Sequence, residues 1–303
     1  MTDKFYLDEA IADLHSILDM VRWAVSRMSE AGLYYGHGTD NPADDALVLV
    51  AHALSMPWSM ADGFRTARLT RSEREAVMPL LEQRIVHKVP TPYITGVAWF
   101  CGQPYIVDER VLIPRSPIGE LIEQRFAPWL EAGKEPARVL DLCTGSGCIG
   151  IACAHAFPEA QVELLDLSFD ALAVAEENIE QHEVGDRVIA LQSDLYAAAS
   201  GKYDLIVTNP PYVDADDMAC LPEEYHHEPE MALAAGNDGL DLVHTILSEA
   251  KEYLTDDGLL VLEVGNSYPA LIEAYPDLPF IWPEFERGGH GICILQACHL
   301  QNL

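Results

Sequence analysis

The chain has 303 residues, enough for two domains that each bury a core of their own. Acidic residues outnumber basic ones by 49 to 18, and the formal net charge of −31 argues against binding along a nucleic-acid backbone. No stretch is long and apolar enough to span a bilayer, and residues 1–4 lack the basic and apolar parts of a signal peptide. We therefore expect a cytoplasmic protein without a membrane association.

Seven cysteines, an odd number without a CxxC pair, are typical of a reducing compartment. Cys143, Cys148 and Cys153 lie in one short segment, and we expect them to be small buried side chains, not metal ligands or disulfide partners. The acidic excess leaves two interpretations open. It is either a solvated surface kept for solubility, or a field that steers a basic protein partner.

Residues 1–88 are predicted to form an all-helical domain, because apolar residues recur there at intervals of three and four. Asn41-Pro42 is a cap followed by proline at the first helical position, and Thr70 with Glu73 forms a capping-box pattern. Three helices are expected, over residues 7–25, 43–53 and 76–86. None of these residues suggests chemistry, so we interpret the domain as one for substrate recognition.

Residues 89–115 predict a β-hairpin that links the two domains, since β-branched and aromatic residues alternate there with Gly and Pro. Tyr93-Ile94-Thr95-Gly96 is taken as part of this extended region. Ser116-Pro117 then predicts the start of a helix that runs to about Leu130.

Residues 116–303 repeat the order strand, glycine turn, helix, which predicts an α/β domain with a doubly wound, mainly parallel sheet. Strands are expected over residues 138–142, 161–165, 188–192, 205–208 and 259–264. Helices are expected over residues 149–156, 169–182 and 240–253. Residues 280–283 and 291–296, joined by Gly288-Gly289, predict a final antiparallel hairpin.

The first strand of this domain runs from Asp141 into a glycine-rich turn with Thr144, Gly145 and Gly147. In an open α/β sheet, ligands lie beyond the carboxyl end of such a strand, and glycines let the backbone approach them closely. Asp166 ends the second strand, where a carboxylate can accept hydrogen bonds from both hydroxyls of a ribose. Asp194 ends the third strand, where it can either reach an adenine amino group or cap a helix.

Gly145, Gly147 and Gly150 also satisfy the GxGxxG pattern of nicotinamide-dependent oxidoreductases. The acidic Asp141 would repel a pyrophosphate, whereas it favours a cation such as a sulfonium or an α-ammonium group. No second half-domain offers a partner for hydride transfer. S-adenosylmethionine is therefore the favoured ligand, and the oxidoreductase remains an alternative.

Asn209-Pro210-Pro211-Tyr212 follows the buried strand 205–208 directly, so the chain must turn at the carboxyl edge of the sheet. Two prolines fix φ twice and hold the loop rigid. The Asn209 side-chain oxygen and the Pro210 carbonyl can then accept both hydrogens of a planar NH2 group. Tyr212 offers a flat face for the substrate's π-system. This motif, NPPY, predicts methyl transfer to an amide or amine nitrogen.

Two further alternatives concern the substrate and the class of protein, and a third concerns a metal site. An adenine N6-methyltransferase of DNA or RNA would also use NPPY on a flipped base, but the acidic charge disfavours it. A non-catalytic assembly module would not need an intact NPPY. His226-His227, beside Glu223, Glu224 and Glu228, suggests a metal site, but adjacent histidines rarely point at one ion and the reaction needs no metal.

With the turn and NPPY in place, nearly the whole chain resembles the HemK/PrmC/PrmB family of protein glutamine N5-methyltransferases. The resemblance is carried by Pro92-Tyr93-Ile94-Thr95-Gly96, Val111-Leu112-Ile113-Pro114-Arg115, Glu228-Pro229, Gly236-Asn237-Asp238-Gly239-Leu240 and Leu262-Glu263-Val264-Gly265. It implies a Rossmann-like S-adenosylmethionine-dependent methyltransferase domain that spans residues 116–303. The cofactor-binding residues that we expect are Asp141, Thr144, Gly145, Gly147, Asp166, Leu167, Asp194, Leu195 and Asn209. The substrate-binding residues that we expect are Asn209, Pro210, Pro211, Tyr212 and Glu228, with Asn209, Pro210 and Tyr212 catalytic.

The segment Pro114-Arg115-Ser116-Pro117-Ile118 narrows the resemblance further. Release-factor methyltransferases have a Pro-Arg-Pro-Glu-Thr-like stretch there, and this chain is more similar to the PrmB branch. That branch implies a basic substrate, ribosomal protein L-three of the large subunit, with a release factor as the alternative. His290 departs from the family pattern, in which we expect Asp.

Overall fold

The computed structural model describes residues 7–57, 59, 62–130 and 133–300; the expectations for residues 1–6 lie outside this part of the chain. The chain forms two compact units, one of Met1–Val97 with Pro222–His227, and one of Ala98–Leu221 with Glu228–Leu303. Among the described residues, no helix has both the length and the apolar content to cross a membrane.

The first unit is helical. Its helices are α1 (Leu7–Asp13), α2 (Ile17–Ala31), α3 (Pro42–Ala53), α4 (Arg71–Ile85) and α5 (Thr91–Thr95). The expected single helix over 7–25 is wrong, because a new helix starts after Ser16. The Ser16 hydroxyl accepts from the Asp19 amide at 3.2 Å, and the Asp19 carboxylate accepts from the Ser16 amide at 2.9 Å. This capping box supplies partners for the first amides of α2, so the apolar stripe continues across two helices.

Both predicted caps are confirmed. Asn41 Oδ1 accepts from the amides of Ala43 and Asp44, at 3.0 Å each. The Thr70 hydroxyl accepts from the Glu73 amide at 3.3 Å, while Glu73 accepts from the Thr70 amide at 2.7 Å. The helix α4 starts directly after Thr70, five residues earlier than predicted. The apolar pattern did not reveal its first turn because the residues there are polar.

The first unit also contains a buried ion-pair network. The Arg84 guanidinium donates to Asp45 at 2.7 Å and to Glu224 at 3.5 Å, and these side chains are only 2–3% exposed. Arg84 donates further to the Tyr34 carbonyl at 2.7 Å, and the Tyr34 amide donates to Glu224 at 2.8 Å. Glu224 belongs to the segment Pro222–His227, which therefore joins the helical unit through buried charges.

The link between residues 89 and 115 is only partly extended. The hairpin consists of β1 (Val97–Phe100) and β2 (Gln103–Ile106). Residues 93–95, expected to be extended, are helical in α5, which ends at Gly96 with a φ of +73°. The helix expected from 116 to 130 is the shorter α6 (Ile118–Glu123), because Arg125 and Phe126 have φ of +54° and +56° and cannot continue an α-helix.

The second unit is built on a six-stranded sheet with the order β5-β4-β3-β6-β7-β8. Its strands are β3 (Arg138–Leu142), β4 (Gln161–Asp166), β5 (Val188–Gln192), β6 (Tyr203–Thr208), β7 (Leu254–Glu263) and β8 (Ile292–Gln296). All neighbours pair in parallel except β7 and β8. The Rossmann-like α/β fold predicted from the sequence is confirmed.

The sheet is buried on both faces except along its edge strand β5, where Ile189 and Leu191 are exposed, and this burial explains the nearly continuous apolar runs of the central strands. The helices of this unit are α7 (Cys148–Ala156), α8 (Phe169–Gln181), α9 (Ala215–Met218), α10 (Asp241–Tyr253) and α11 (Tyr268–Ala274). The predicted final hairpin is confirmed only in part. Its second segment forms β8, and Ile281 makes one isolated antiparallel bridge to Ile294, whereas β8 pairs along its length with β7.

Candidate active site

The candidate site lies where the strand order reverses. From β3 the sheet continues through β4 and β5 on one side and through β6 and β7 on the other. Ligands bind outside the carboxyl ends of the strands at such a switch point. The glycine turn follows β3 and the NPPY loop follows β6, so both lie at this edge. A hydrogen bond from the Thr208 hydroxyl to the Leu142 carbonyl, at 2.9 Å, ties their roots together.

The turn after β3 depends on its glycines. Gly145 and Gly147 have φ of +56° and +82°, in the region that other residues rarely adopt. Gly150, in the first turn of α7, packs so closely on β4 that an added Cβ would lie 2.1 Å from Leu164 Cδ2. The backbone amides at the start of α7 are thereby brought close to the carboxyl end of β3.

Asp141 lies beneath this turn and is completely buried. Its Oδ2 accepts from the Thr144 hydroxyl at 2.5 Å and from the Gly150 amide at 2.9 Å. Its Oδ1 is buried without a hydrogen-bond partner among the described residues. Burial raises the pKa of Asp141 to about 7, against the opposing effect of the two hydrogen bonds. The carboxylate organises the turn and holds a negative charge that a nearby cation would stabilise.

Asp166, at the end of β4, faces the same turn. Its Oδ2 accepts from the Gly145 amide at 2.9 Å and its Oδ1 from the Ser168 amide at 2.9 Å. Burial raises the pKa of Asp166, and the backbone hydrogen bonds oppose that shift. Each carboxylate oxygen can accept a second hydrogen bond, so the geometry leaves capacity for two hydroxyl donors.

Asp194 is exposed and precedes a short 3-10 helix, Leu195–Ala198. Its side chain makes no capping hydrogen bond there, so the alternative of a helix cap is wrong. Leu195, with a φ of +46°, packs against the core on one face of the sheet.

The NPPY loop presents an unpaired acceptor. Asn209 follows β6, and its side-chain oxygen Oδ1 is buried without a hydrogen-bond partner among the described residues. An unsatisfied buried acceptor of this kind costs about 1–3 kcal/mol and is expected where a ligand supplies the missing donor. Pro210 is buried and Pro211 is half-buried, as expected for a rigid turn.

Tyr212 is held from three sides. Its hydroxyl donates to Glu263 at 3.2 Å, and its carbonyl accepts from the Ser267 hydroxyl at 2.8 Å. Its ring lies so close to Gly265 that an added Cβ there would be 2.4 Å from the ring. Glu263 also accepts from the Ser116 hydroxyl at 2.5 Å.

Glu263, which binds Tyr212 of NPPY, has a role that was not predicted from the sequence. Burial raises its pKa, while the hydrogen bonds from Ser116 and Tyr212 and the charge of Arg115 oppose that shift. A single glutamate at the end of the apolar run of β7 was the available signal, because a fully buried carboxylate is rare unless it is paired. In the sequence, Glu263 was noted only as part of Leu262-Glu263-Val264-Gly265, one of the segments that carry the family resemblance.

Glu228 supports the other side of the site. Its carboxylate accepts from both terminal nitrogens of Arg115, at 2.6 and 2.8 Å, and from the Ile113 amide at 3.0 Å. The Glu228 side chain is completely buried in this arrangement. It fixes the segment that carries Ser116 and brings Pro229 to the edge of the site.

A cleft of about 890 Å³ of empty space opens at this edge of the sheet. Six of the predicted residues line it: Thr144, Gly145, Asp166, Leu167, Asn209 and Pro211. The other predicted residues, all within the described part of the chain, are not among those that line it: Asp141, Gly147, Asp194, Leu195, Pro210, Tyr212 and Glu228. The sequence did not predict that Arg110 and Met231 line the cleft as well.

Two histidines that the sequence analysis singled out, His227 and His290, have partners away from the cleft. His227 donates from Nε2 to the His87 carbonyl at 2.9 Å, within the helical unit. His290 is exposed and contacts the Asn266 side-chain oxygen at 3.0 Å. Of the three crowded cysteines, Cys148 and Cys153 are buried, and Cys143 is half-buried in the wall of the cleft. Among the described residues, no group of three or more His, Cys, Asp or Glu side chains is arranged to hold a metal.

Comparison with known proteins gives the class first. The family of the methyltransferase small domain matches residues 126–223, which include both the glycine turn and NPPY. A solved methyltransferase from Pyrococcus furiosus aligns with 64% of this chain and 88% of its own, at 18% identity and a TM-score of 0.46. The segment that carries the glycine turn and NPPY therefore matches a methyltransferase domain.

Two curated relatives are similar over almost the whole chain. The ribosomal protein uL3 glutamine methyltransferase of Francisella tularensis is 47% identical over 288 residues, 95% of this chain and 92% of the relative. The protein of the same name from Xanthomonas campestris is 49% identical over 96% of this chain and 94% of its own. The chain belongs to the family of ribosomal protein uL3 glutamine methyltransferases, and the resemblance predicted from its sequence is confirmed.

Proposed function

We propose that the protein methylates the side-chain amide nitrogen of a glutamine in ribosomal protein uL3, with S-adenosylmethionine as the methyl donor. The observation that carries the proposal is the buried, unpaired Oδ1 of Asn209 in the wall of the cleft. A primary amide can supply the missing donor. The names of the two relatives support the choice of glutamine and of uL3.

The cleft fits the proposed cofactor. Asp166 can accept from two ribose hydroxyls, and the exposed Leu167 beside it offers an apolar surface to a base. The glycine turn leaves room for a ligand, since an added Cβ at Gly145 would meet no atom within 4 Å. Asp141, with its unpaired oxygen, favours a cation nearby. When bound, S-adenosylmethionine supplies an electrophilic methyl group, whose carbon–sulfur bond breaks with both electrons going to the sulfur.

Asn209 and the adjacent Pro210 carbonyl would hold the amide. Both accept hydrogen bonds, so together they orient the two N–H groups and leave the nitrogen lone pair free. Two acceptors polarise the N–H bonds, which offsets the delocalisation that makes an amide a poor nucleophile. The nitrogen forms the new bond to carbon and then loses one proton to solvent water. The residues contribute orientation and preorganised dipoles, and none of them has to act as a strong base.

The substrate is expected to be a basic protein. The charge of −31 favours association with a cationic partner and disfavours one that carries a phosphate backbone. The helical unit, none of whose described residues lines the cleft, is proposed to serve recognition. Steering of this kind weakens with salt, because screening shortens the range of surface charges.

The test is transfer of a labelled methyl group to three separate acceptors: ribosomal protein uL3, a release factor and duplex DNA. Label is expected on uL3 alone, on a glutamine side chain. Label on the release factor instead would overturn the choice of substrate, and label on DNA would overturn the amide assignment.

Asn209→Ala in the same assay should lower kcat at least a hundredfold, because the amide loses an acceptor that orients it. Its affinity for the cofactor, measured by calorimetry, should change far less. Asn237→Ala is a matched control, since Asn237 is exposed in the same unit. Unchanged turnover in Asn209→Ala would contradict the proposed role.

A further inference from the structure

We infer that Glu263 is a positioning residue: through the Tyr212 hydroxyl it fixes where the NPPY loop holds its two acceptors. The inference rests on the proposed function for its effect on catalysis. The underlying contact is a property of the fold. Glu263 ends β7, next to the strand from which NPPY emerges.

The first argument is the cost of the carboxylate. Glu263 is 4% exposed and stands at the end of an apolar strand between two buried neighbours, Leu262 and Val264. An apolar side chain would fill the position without the desolvation penalty that a buried carboxylate carries. What the carboxylate adds is a hydrogen-bond acceptor on each oxygen. Oε1 accepts from Tyr212 at 3.2 Å and Oε2 from Ser116 at 2.5 Å.

The second argument is the number of constraints on Tyr212. Apart from Glu263, the Ser267 hydroxyl holds its carbonyl at 2.8 Å. Gly265 leaves just enough room for the ring, and Gly291 in turn packs against Gly265, where an added Cβ would lie 2.1 Å from the Gly265 oxygen. The ring is thus fixed by packing on one face and by the hydroxyl at its far end.

The third argument is the length of chain that these contacts control. Thr208 is anchored by its bond to the Leu142 carbonyl at 2.9 Å, and Tyr212 is anchored four residues later. Between them lie Asn209 and two prolines, whose φ angles are fixed. With both ends held, the acceptors of Asn209 and Pro210 have one position relative to the glycine turn. A displacement of about 1 Å at a reacting group can cost a hundredfold in rate.

Ser116 extends this arrangement to the segment 114–118, which distinguishes the PrmB-like sequence from the release-factor pattern. Its hydroxyl donates to Glu263 and also accepts from the Ile118 amide at 3.1 Å. The start of α6 and the NPPY loop therefore share one carboxylate. This places a branch-specific residue two hydrogen bonds away from the ring of Tyr212.

The experiment compares Glu263→Leu, which removes both acceptors, with Tyr212→Phe and the double variant. Each single variant should lower kcat about tenfold, with the KM for S-adenosylmethionine nearly unchanged. The double variant should be no slower than the slower single one, because both changes break the same contact. Multiplying effects would overturn the inference, as would a wild-type kcat in either single variant.

A matched control is available at the start of β6, the strand that ends at the NPPY loop. Tyr203 begins β6, is completely buried and donates its hydroxyl to Glu163 at 2.7 Å. Tyr203→Phe removes the same kind of Tyr–Glu hydrogen bond far from the cleft. Because the Tyr203 hydroxyl also accepts from the Ser200 amide at 2.9 Å, this variant should lower the melting temperature at least as much as Tyr212→Phe, while kcat stays at the wild-type value. A comparable fall in kcat would show that the effect is general destabilisation of the sheet.

A second measurement does not depend on activity. In the cofactor-free protein, exchange of the backbone amide hydrogens of Asn209, Tyr212 and Val213 should become faster in Glu263→Leu, and should stay unchanged in Tyr203→Phe. Unchanged exchange in Glu263→Leu would overturn the positioning role even if uL3 is methylated. Conversely, faster exchange with no methylation of uL3 by the wild-type protein would refute the proposed function and leave the contact intact.

Discussion

Asp141→Asn should make the cofactor-free protein more stable at neutral pH, although Asp141 lies under the most constrained turn of the site. The carboxyl group is fully buried, and burial raises its pKa from 3.8 to about 7. At pH 8 the folded protein therefore holds a buried negative charge that the unfolded chain would expose to water. Asparagine has the same shape without the charge.

The magnitude follows from proton linkage. Between about pH 4 and pH 7 the folded state binds a proton that the unfolded state has lost, so stability falls as pH rises through this window. A difference of about three pKa units corresponds to at most about 4 kcal/mol above pH 7. The asparagine Oδ1 can still accept from Thr144 and Gly150. Its NH2 group replaces an oxygen that has no partner, at a cost of about 1–3 kcal/mol. A net gain of about 1–3 kcal/mol remains at pH 8.

The assay is thermal unfolding of the cofactor-free protein at pH 5 and pH 8. One kcal/mol shifts the melting temperature of a domain of this size by about 2–4 °C, so Asp141→Asn should melt several degrees above wild type at pH 8. At pH 5 the gain should disappear, because the wild-type carboxyl is then protonated. Saturating S-adenosylmethionine should stabilise wild type more than the variant, since only the carboxylate attracts a cation.

Asp257→Asn serves as the control, because Asp257 is exposed and its carboxylate accepts from Lys134 at 2.8 Å. That interaction lowers the pKa of Asp257, so its replacement should give no gain at either pH. The reasoning about Asp141 is refuted if Asp141→Asn is less stable than wild type at pH 8. It is equally refuted if the difference between them is the same at both pH values.

Three further predictions concern the fold. Asp45→Ala should destabilise the helical unit by about 3–5 kcal/mol in urea unfolding, because it leaves Arg84 buried without its closer partner; a loss below about 1 kcal/mol, the range of surface pairs, would contradict the burial. Gly291→Ala should lower both melting temperature and kcat, since its Cβ would lie 2.1 Å from the Gly265 oxygen; normal values of both would refute the close packing. Thr70→Ala should cost about 1 kcal/mol through loss of a helix cap, measured by urea unfolding, whereas an unchanged midpoint would mean that the cap contributes nothing.

Local patterns predicted the elements that leave a signature within a short stretch of sequence. The Asn41 and Thr70 caps and the five parallel strands were identified because capping and strand burial leave short-range signatures. The break at Ser16 was missed because the apolar stripe continues through it. The main partner of β8 was not predicted, because β8 pairs with β7 across about thirty intervening residues and no local pattern reveals such a pairing.

The site shows the same division. The positions of Asp166 and Asn209 followed from the rule that ligands lie at the carboxyl ends of parallel strands. The bond between Tyr212 and Glu263 joins residues that are 51 positions apart, and no spacing rule connects them. The sequence predicted a flat face of Tyr212 for the substrate, but not that its hydroxyl is bound to Glu263 or that its ring packs on Gly265.

The membership of Pro222–His227 in the helical unit limits how the protein can be divided. A truncation that removes residues 1–97 would leave this segment inside the remaining chain, with Glu224 deprived of Arg84 and of the Tyr34 amide. The ends of the same segment continue into Val213 and Leu233, which are joined by a backbone hydrogen bond of 2.8 Å. The two units therefore cannot be separated by cutting the chain at a single position. A change that exchanges one recognition domain for another would have to exchange this insertion with it.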